Sequence, residues 1–76
     1  MVGARRRVPP NDLVAEQNLL GAMMLSKDAI SATSSMLRAD DFYKPAHQTI
    51  YEAVLDLYGR GEPADAITVS SELTKR

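Results

Sequence analysis

Pro45-Ala46-His47-Gln48-Thr49-Ile50-Tyr51-Glu52-Ala53-Val54-Leu55-Asp56-Leu57-Tyr58-Gly59-Arg60-Gly61 is the stretch on which the fold of this 76-residue chain turns. At about 3.6 residues per turn, Ala46, Ile50, Ala53, Val54, Leu57 and Tyr58 fall on one side, with His47 and Tyr51 at its edge. Gln48, Thr49, Glu52, Asp56 and Arg60 fall on the other, which is the pattern of a helix with one buried face. Pro45 suits the first helical position, where its missing N–H would have no partner. Gly59, Gly61 and Pro63 supply the stop, because glycine accepts the left-handed conformation past a helix end and proline cannot continue the ladder. The reading predicts a long helix whose Ile50–Val54–Leu57 stripe carries the rest of the fold.

Outward from this helix, the chain reads as all-α, a small orthogonal bundle of about four helices with no sheet. Asn11 or Asp12 caps a first helix running to about Leu25, with Leu13, Leu20 and Met24 inward. Gln17 falls in that stripe, and a buried amide needs hydrogen-bond partners, so it is expected to bond backbone or the single histidine, His47. The second half of this helix is apolar nearly all round (Leu19, Leu20, Ala22, Met23, Met24, Leu25), as in a helix that is central or covered by another molecule. Ser26 caps a second helix from Lys27 to about Leu37, weakened by Ser31, Ser34 and Ser35, whose hydroxyls compete for local backbone groups. Asp40 or Asp41 starts a single helical turn, and Phe42 and Tyr43 plug the core. After the turn at Glu62-Pro63-Ala64-Asp65, Ala66-Ile67 is extended and Thr68 caps a last helix with Val69 and Leu73 inward.

Composition limits the function classes. A chain of this length forms one domain at most, and the absence of cysteine excludes a disulfide framework and thiolate metal sites. A formal net charge of -1 gives no overall attraction to nucleic acid or acidic lipid. No apolar run reaches the length of roughly 18 residues that a membrane span needs, and the setting expected is the cytoplasm. Residues 1–10, with Arg5-Arg6-Arg7 and Pro9-Pro10, read as a disordered basic tail, either a solvated arm or one that touches phosphate.

No converging catalytic set is visible. There is no phosphate-binding glycine loop, and one histidine with no cysteine leaves zinc without ligands. His47 reads as a core-edge histidine held by a hydrogen bond rather than a general base, since no nucleophile is placed beside it. The catalytic, cofactor-binding and metal sets are therefore empty. Leu19, Met23 and Tyr58 are either core or apolar surface left for a partner, flexible thioethers being suited to the second role. The fold determinants are Leu13, Gln17, Leu20, Met24, Phe42, Tyr43, His47, Ile50, Val54 and Leu57.

Several segments carry a family resemblance. Pro10-Asn11-Asp12-Leu13-Val14-Ala15-Glu16-Gln17, Leu20-Gly21, Asp41-Phe42-Tyr43-Lys44-Pro45-Ala46-His47, Leu55-Asp56-Leu57-Tyr58, Gly61-Glu62-Pro63-Ala64-Asp65 and Ile67-Thr68 resemble, in order and spacing, the N-terminal domain of the DnaB family of bacterial replicative helicases, most like actinobacterial members. The resemblance spans about Pro9 to Arg76. It implies that residues 11–76 are the helical head of a hexameric, ATP-driven helicase that unwinds duplex DNA during chromosome replication. ATP, Mg and the DNA-gripping loops would belong to a separate RecA-like domain, so no enzyme activity is expected of these residues. The family's N-terminal domains form a trimer-of-dimers collar that contacts primase and, in some species, a helicase loader, with no direct nucleic-acid contact expected of this part. The chain is expected to stop before the family's helical hairpin, as a fragment of something longer. The alternatives are a small helix-turn-helix DNA-binding regulator using Thr68 to Arg76, disfavoured by Ser70, Ser71 and Glu72 in mid-helix, and a stand-alone mimic of the helicase head.

Overall fold

The computed structural model describes residues 12–76; the tail reading for residues 1–10 lies outside them. Four α-helices and one 3-10 turn form, with no strand among the described residues: α1 (Leu13–Met23), α2 (Lys27–Ser34), the turn Ala39–Asp41, α3 (Pro45–Gly59) and α4 (Ala66–Lys75). The all-α architecture matches the expectation, and α3 packs against each of the other four elements.

Asp12 caps α1, its carboxylate accepting the Ala15 N–H at 3.2 Å. The inward residues are Glu16, Leu20 and Met23. This corrects the expected stripe: Gln17 is exposed, while Leu13 and Met24 are half-buried. The cause is the apolar surround of the helix, which gives hydrophobicity little hold on its rotation. A one-residue change of facing turns a helix by about 100°, and here a charged group with partners waiting decides it. The helix also ends earlier than expected, leaving Leu25 89% exposed in the turn that follows.

Ser26 caps α2 as expected, accepting the Ala29 N–H at 3.3 Å. The helix closes at Ser34 rather than Leu37. The Ser34 and Ser35 hydroxyls donate to the carbonyls of Ser31 and Ala32 at 3.0 and 2.8 Å, the local competition that weakens a helix end. Met36 is exposed, and Leu37 is half-buried beyond the helix.

The short turn places Phe42 in the core, with its ring centroid 4.9 Å from that of Tyr51 at a 39° tilt. Tyr43, expected beside it as a second plug, is instead 59% exposed. Adjacent residues in the extended segment that follows point to opposite sides, so only one of the two rings can enter.

Along α3 the buried residues are His47, Tyr51, Ala53, Val54 and Leu57. Ile50, expected at the centre of this face, is half-buried, Ala46 is exposed, and Tyr51 takes the centre with no exposed surface. A tyrosine is stable there because its hydroxyl donates to the Leu37 carbonyl at 2.7 Å, with the Thr33 carbonyl 3.4 Å away. The Thr33 carbonyl already accepts the Met36 and Leu37 N–H groups at 3.0 and 2.8 Å, so the acceptor that α3 satisfies is the Leu37 carbonyl just beyond the end of α2.

The stop after α3 is a Schellman motif. Gly61 adopts φ 74° and its N–H donates to Tyr58 at 3.0 Å, while the Glu62 N–H donates to Leu57 at 2.9 Å. The last helix starts three residues earlier than expected, with Asp65 rather than Thr68 at the cap. Asp65 is its cap, accepting the Thr68 N–H at 2.9 Å, while Thr68 returns its hydroxyl oxygen to the Asp65 N–H at 2.9 Å. This reciprocal pairing makes Thr68 the third helical residue, so Ala66 and Ile67 are helical rather than extended. Val69 is buried and Leu73 packs against the core. Outside, Arg60 pairs with Glu72 at 3.0 Å, and Arg76 pairs with Asp56.

Candidate functional site

The polar centre of the domain is Glu16. Its position four and seven residues before Leu20 and Met23 puts it on the inward face of α1. There Oε2 accepts the Tyr43 N–H at 2.6 Å, and Oε1 lies 2.7 Å from His47 Nδ1 and 3.4 Å from the Lys44 amide. A carboxylate has no proton to give, so His47 Nδ1 carries the hydrogen of this bond. Tyr43 and Lys44 are the two residues leading into α3, and Pro45 has no N–H to offer. One carboxylate on α1 thus binds the donors at the entry to α3 that its own sequence leaves without partners. Gln48 reinforces the same entry by donating to the Phe42 carbonyl at 2.8 Å.

Burial pushes the Glu16 carboxyl up, but the His47 hydrogen bond, the Tyr43 and Lys44 amides and the histidine's charge outweigh it, leaving its pKa below the ordinary carboxylate value. Glu16 and His47 are the groups nearest to acid–base chemistry, and both are occupied in holding α1 to α3. Among the described residues no three His, Cys, Asp or Glu side chains come together to hold a metal ion.

Beside this latch lies a groove of ≈ 150 Å³ between α1 and residues 37–42. Asp12, Ala15, Glu16 and Leu19 form one wall, and Leu37, Asp41 and Phe42 the other. Asp41 is fixed there because its carboxylate accepts the Arg38 N–H at 2.7 Å. Of the three residues read from sequence as partner surface, Leu19 is half-buried and lines this groove. Met23 is fully buried in the core, which corrects its placement: facing inward with Glu16 and Leu20, it has no surface to offer. Tyr58 is 38% exposed near the end of α3, away from the groove lining.

Sequence reading missed Glu16 as the buried polar residue and placed that role one position later. The usable signal was the spacing Glu16–Leu20–Met23 with a histidine available on the facing helix. The groove had no signal of its own, since it forms between segments more than ten residues apart in the chain.

Comparison with known proteins gives a consistent picture. A family model of the DnaB-like helicase N-terminal domain matches residues 8–76. The chain is 64% identical over 70 residues to the replicative DNA helicase DnaB of Mycobacterium leprae, covering 92% of this chain and 12% of that protein. It is 51% identical over 67 residues to the replicative DNA helicase DnaC of Bacillus subtilis, covering 88% of this chain and 15% of that one. Its structure superposes on the crystal structure of the N-terminal domain of DnaB helicase from Mycobacterium tuberculosis with a TM-score of 0.85 and 64% identity, covering 91% of this chain and 50% of that one. The chain therefore spans 12% to 15% of these two curated relatives and half of the solved domain.

Proposed function

The chain belongs to the family of DnaB-like helicase N-terminal domains, and we propose that it is the assembly and partner-docking head of a hexameric, ATP-dependent replicative helicase. In this reading the domain performs no reaction. It helps organise the hexamer's collar and offers surface to primase or a helicase loader, working in the cytoplasm at the replication fork. ATP and Mg act in a RecA-like domain elsewhere in the parent protein, and residues 11–76 are the head that precedes a helical hairpin.

The observation that carries the reading is the family match across residues 8–76. Two structural features support it. Leu19 sits in an open apolar groove, and Tyr58 presents an aromatic ring at the surface, the kind of rigid anchor that protein interfaces use. The residues that hold the fold together, Glu16 and His47, are buried and separate from that surface apart from Glu16's edge on the groove.

The test is made in the full-length helicase carrying Leu19→Gln together with Tyr58→Ser. Sedimentation with primase or loader should show association weakened by about tenfold or more, equivalent to about 1.4 kcal/mol, with the ATPase rate retained. Unchanged association would refute docking through these residues. For the 76-residue chain itself, DNA-stimulated ATP hydrolysis would contradict a non-catalytic role.

A further inference from the structure

The chemistry of the groove narrows what can enter it, an argument that rests on the docking reading above. Ala15, Leu19, Leu37 and Phe42 give it apolar walls, and the charged residues along it are all acidic: Asp12, Glu16 and Asp41. Arg38 and Lys44, each three residues from Asp41, are not part of the lining. A space of about 150 Å³ with apolar walls accommodates one benzene-sized group. Glu16 is committed to Tyr43, Lys44 and His47. Asp12 and Asp41 each accept a single backbone N–H, from Ala15 and Arg38, and neither is in an ion pair among the described residues. An apolar slot with a carboxylate on either wall repels acidic peptides and anionic lipid headgroups, and favours a cation beside an apolar group.

We propose that this groove binds a short basic segment of a partner protein, which seats one leucine-, methionine- or phenylalanine-sized side chain against Leu19, Leu37 and Phe42 while flanking arginine or lysine residues pair with Asp12 and Asp41. The apolar side chain supplies the anchor, and the carboxylates set the sign of charge accepted around it. Affinity therefore falls with ionic strength, because Asp41 is exposed and Asp12 only half-buried.

The probe is a set of synthetic octapeptides, each with one phenylalanine, leucine or methionine and with arginine or lysine on both sides at varied spacing. They are titrated into the isotope-labelled chain and followed through its amide resonances. Saturable shifts at Ala15, Leu19, Leu37 and Phe42 are expected. Affinity should drop about tenfold or more when the apolar residue becomes serine or the basic residues become glutamate. Ala15→Arg, at an exposed helix position, puts a cation at the groove wall and should abolish binding with the thermal melt unchanged. Absence of saturable shifts, shifts elsewhere, equal binding of the acidic peptides, or full binding by Ala15→Arg would each overturn the proposal. If peptides bind as expected but Ala15→Arg helicase keeps primase and loader, the groove assignment stands and docking of those two partners through it fails. If the helicase loses those partners while no peptide binds, the proposed function stands and the groove chemistry is wrong.

Discussion

Replacing Glu16 by alanine should be the most damaging single change in the domain. It strips the acceptor from the Tyr43 N–H at 2.6 Å and from His47 Nδ1 at 2.7 Å, and His47 is only 4% exposed. A buried donor left without a partner costs about 1–3 kcal/mol, and this change leaves two, the Tyr43 N–H and His47 Nδ1. A chain of this length has a total stability of roughly 4–11 kcal/mol at about 0.05–0.15 kcal/mol per residue. Glu16→Ala should therefore lose about a third or more of its stability in urea-induced unfolding followed by circular dichroism. Glu16→Gln keeps the volume and one acceptor but loses the charge, so it should fall between alanine and the parent. The neighbouring exposed residue is the control: Gln17→Ala should change stability by no more than about 0.5 kcal/mol. If Gln17→Ala proves the costlier of the two, α1 faces the other way and the assigned latch does not exist.

Acid should act through the same carboxylate. Its folded pKa is lowered, so its stabilisation is fully present above the ordinary value of 4.5 and is lost as pH falls from there through the folded pKa; stability plotted against pH should lose that slope in Glu16→Gln. Tyr51→Phe removes the donor to the Leu37 carbonyl and should cost about 1–2 kcal/mol by chemical denaturation, with no loss if the hydroxyl is dispensable. Gly61→Ala meets no atom within 4 Å of the added Cβ, so its cost is the left-handed backbone alone, about 1 kcal/mol in thermal unfolding. Asp65→Ala should fray the first turn of α4, seen as faster amide exchange at Thr68 while the core helices keep their protection.

The sequence made the helices legible, and the rotation of α1 was the part it withheld. Where polar and apolar residues alternate cleanly, as in Pro45–Gly59, element type and ends follow from periodicity and capping chemistry. Even there the centre of the buried face fell on Tyr51 rather than Ile50, because a phenolic hydroxyl with two carbonyls in reach can be buried as readily as an aliphatic chain. In α1 the apolar residues run almost all round, so the distinction between Glu16 and Gln17 depended on a partner 31 residues away. The start of α4 was misplaced because Asp65 and Thr68 are both good caps, and their reciprocal bonding assigns the outer one to that role. Of the candidate site, Leu19 was legible from composition, while the facing wall of Leu37, Asp41 and Phe42 appears only when the chain folds back.

The arrangement of supports around the groove has a mechanical consequence. α1 and the 3-10 turn each pack on α3 and do not pack on one another. Its walls are thus two leaves mounted on a common spine, tied across the gap by the Glu16 bond to Tyr43. Because the Phe42 ring in one wall lies 4.9 Å from that of Tyr51, a guest that displaced this wall would be felt in the spine behind it. What the slot admits is thereby coupled to the packing of the fold beneath it, through Phe42 on one wall and Glu16 on the other.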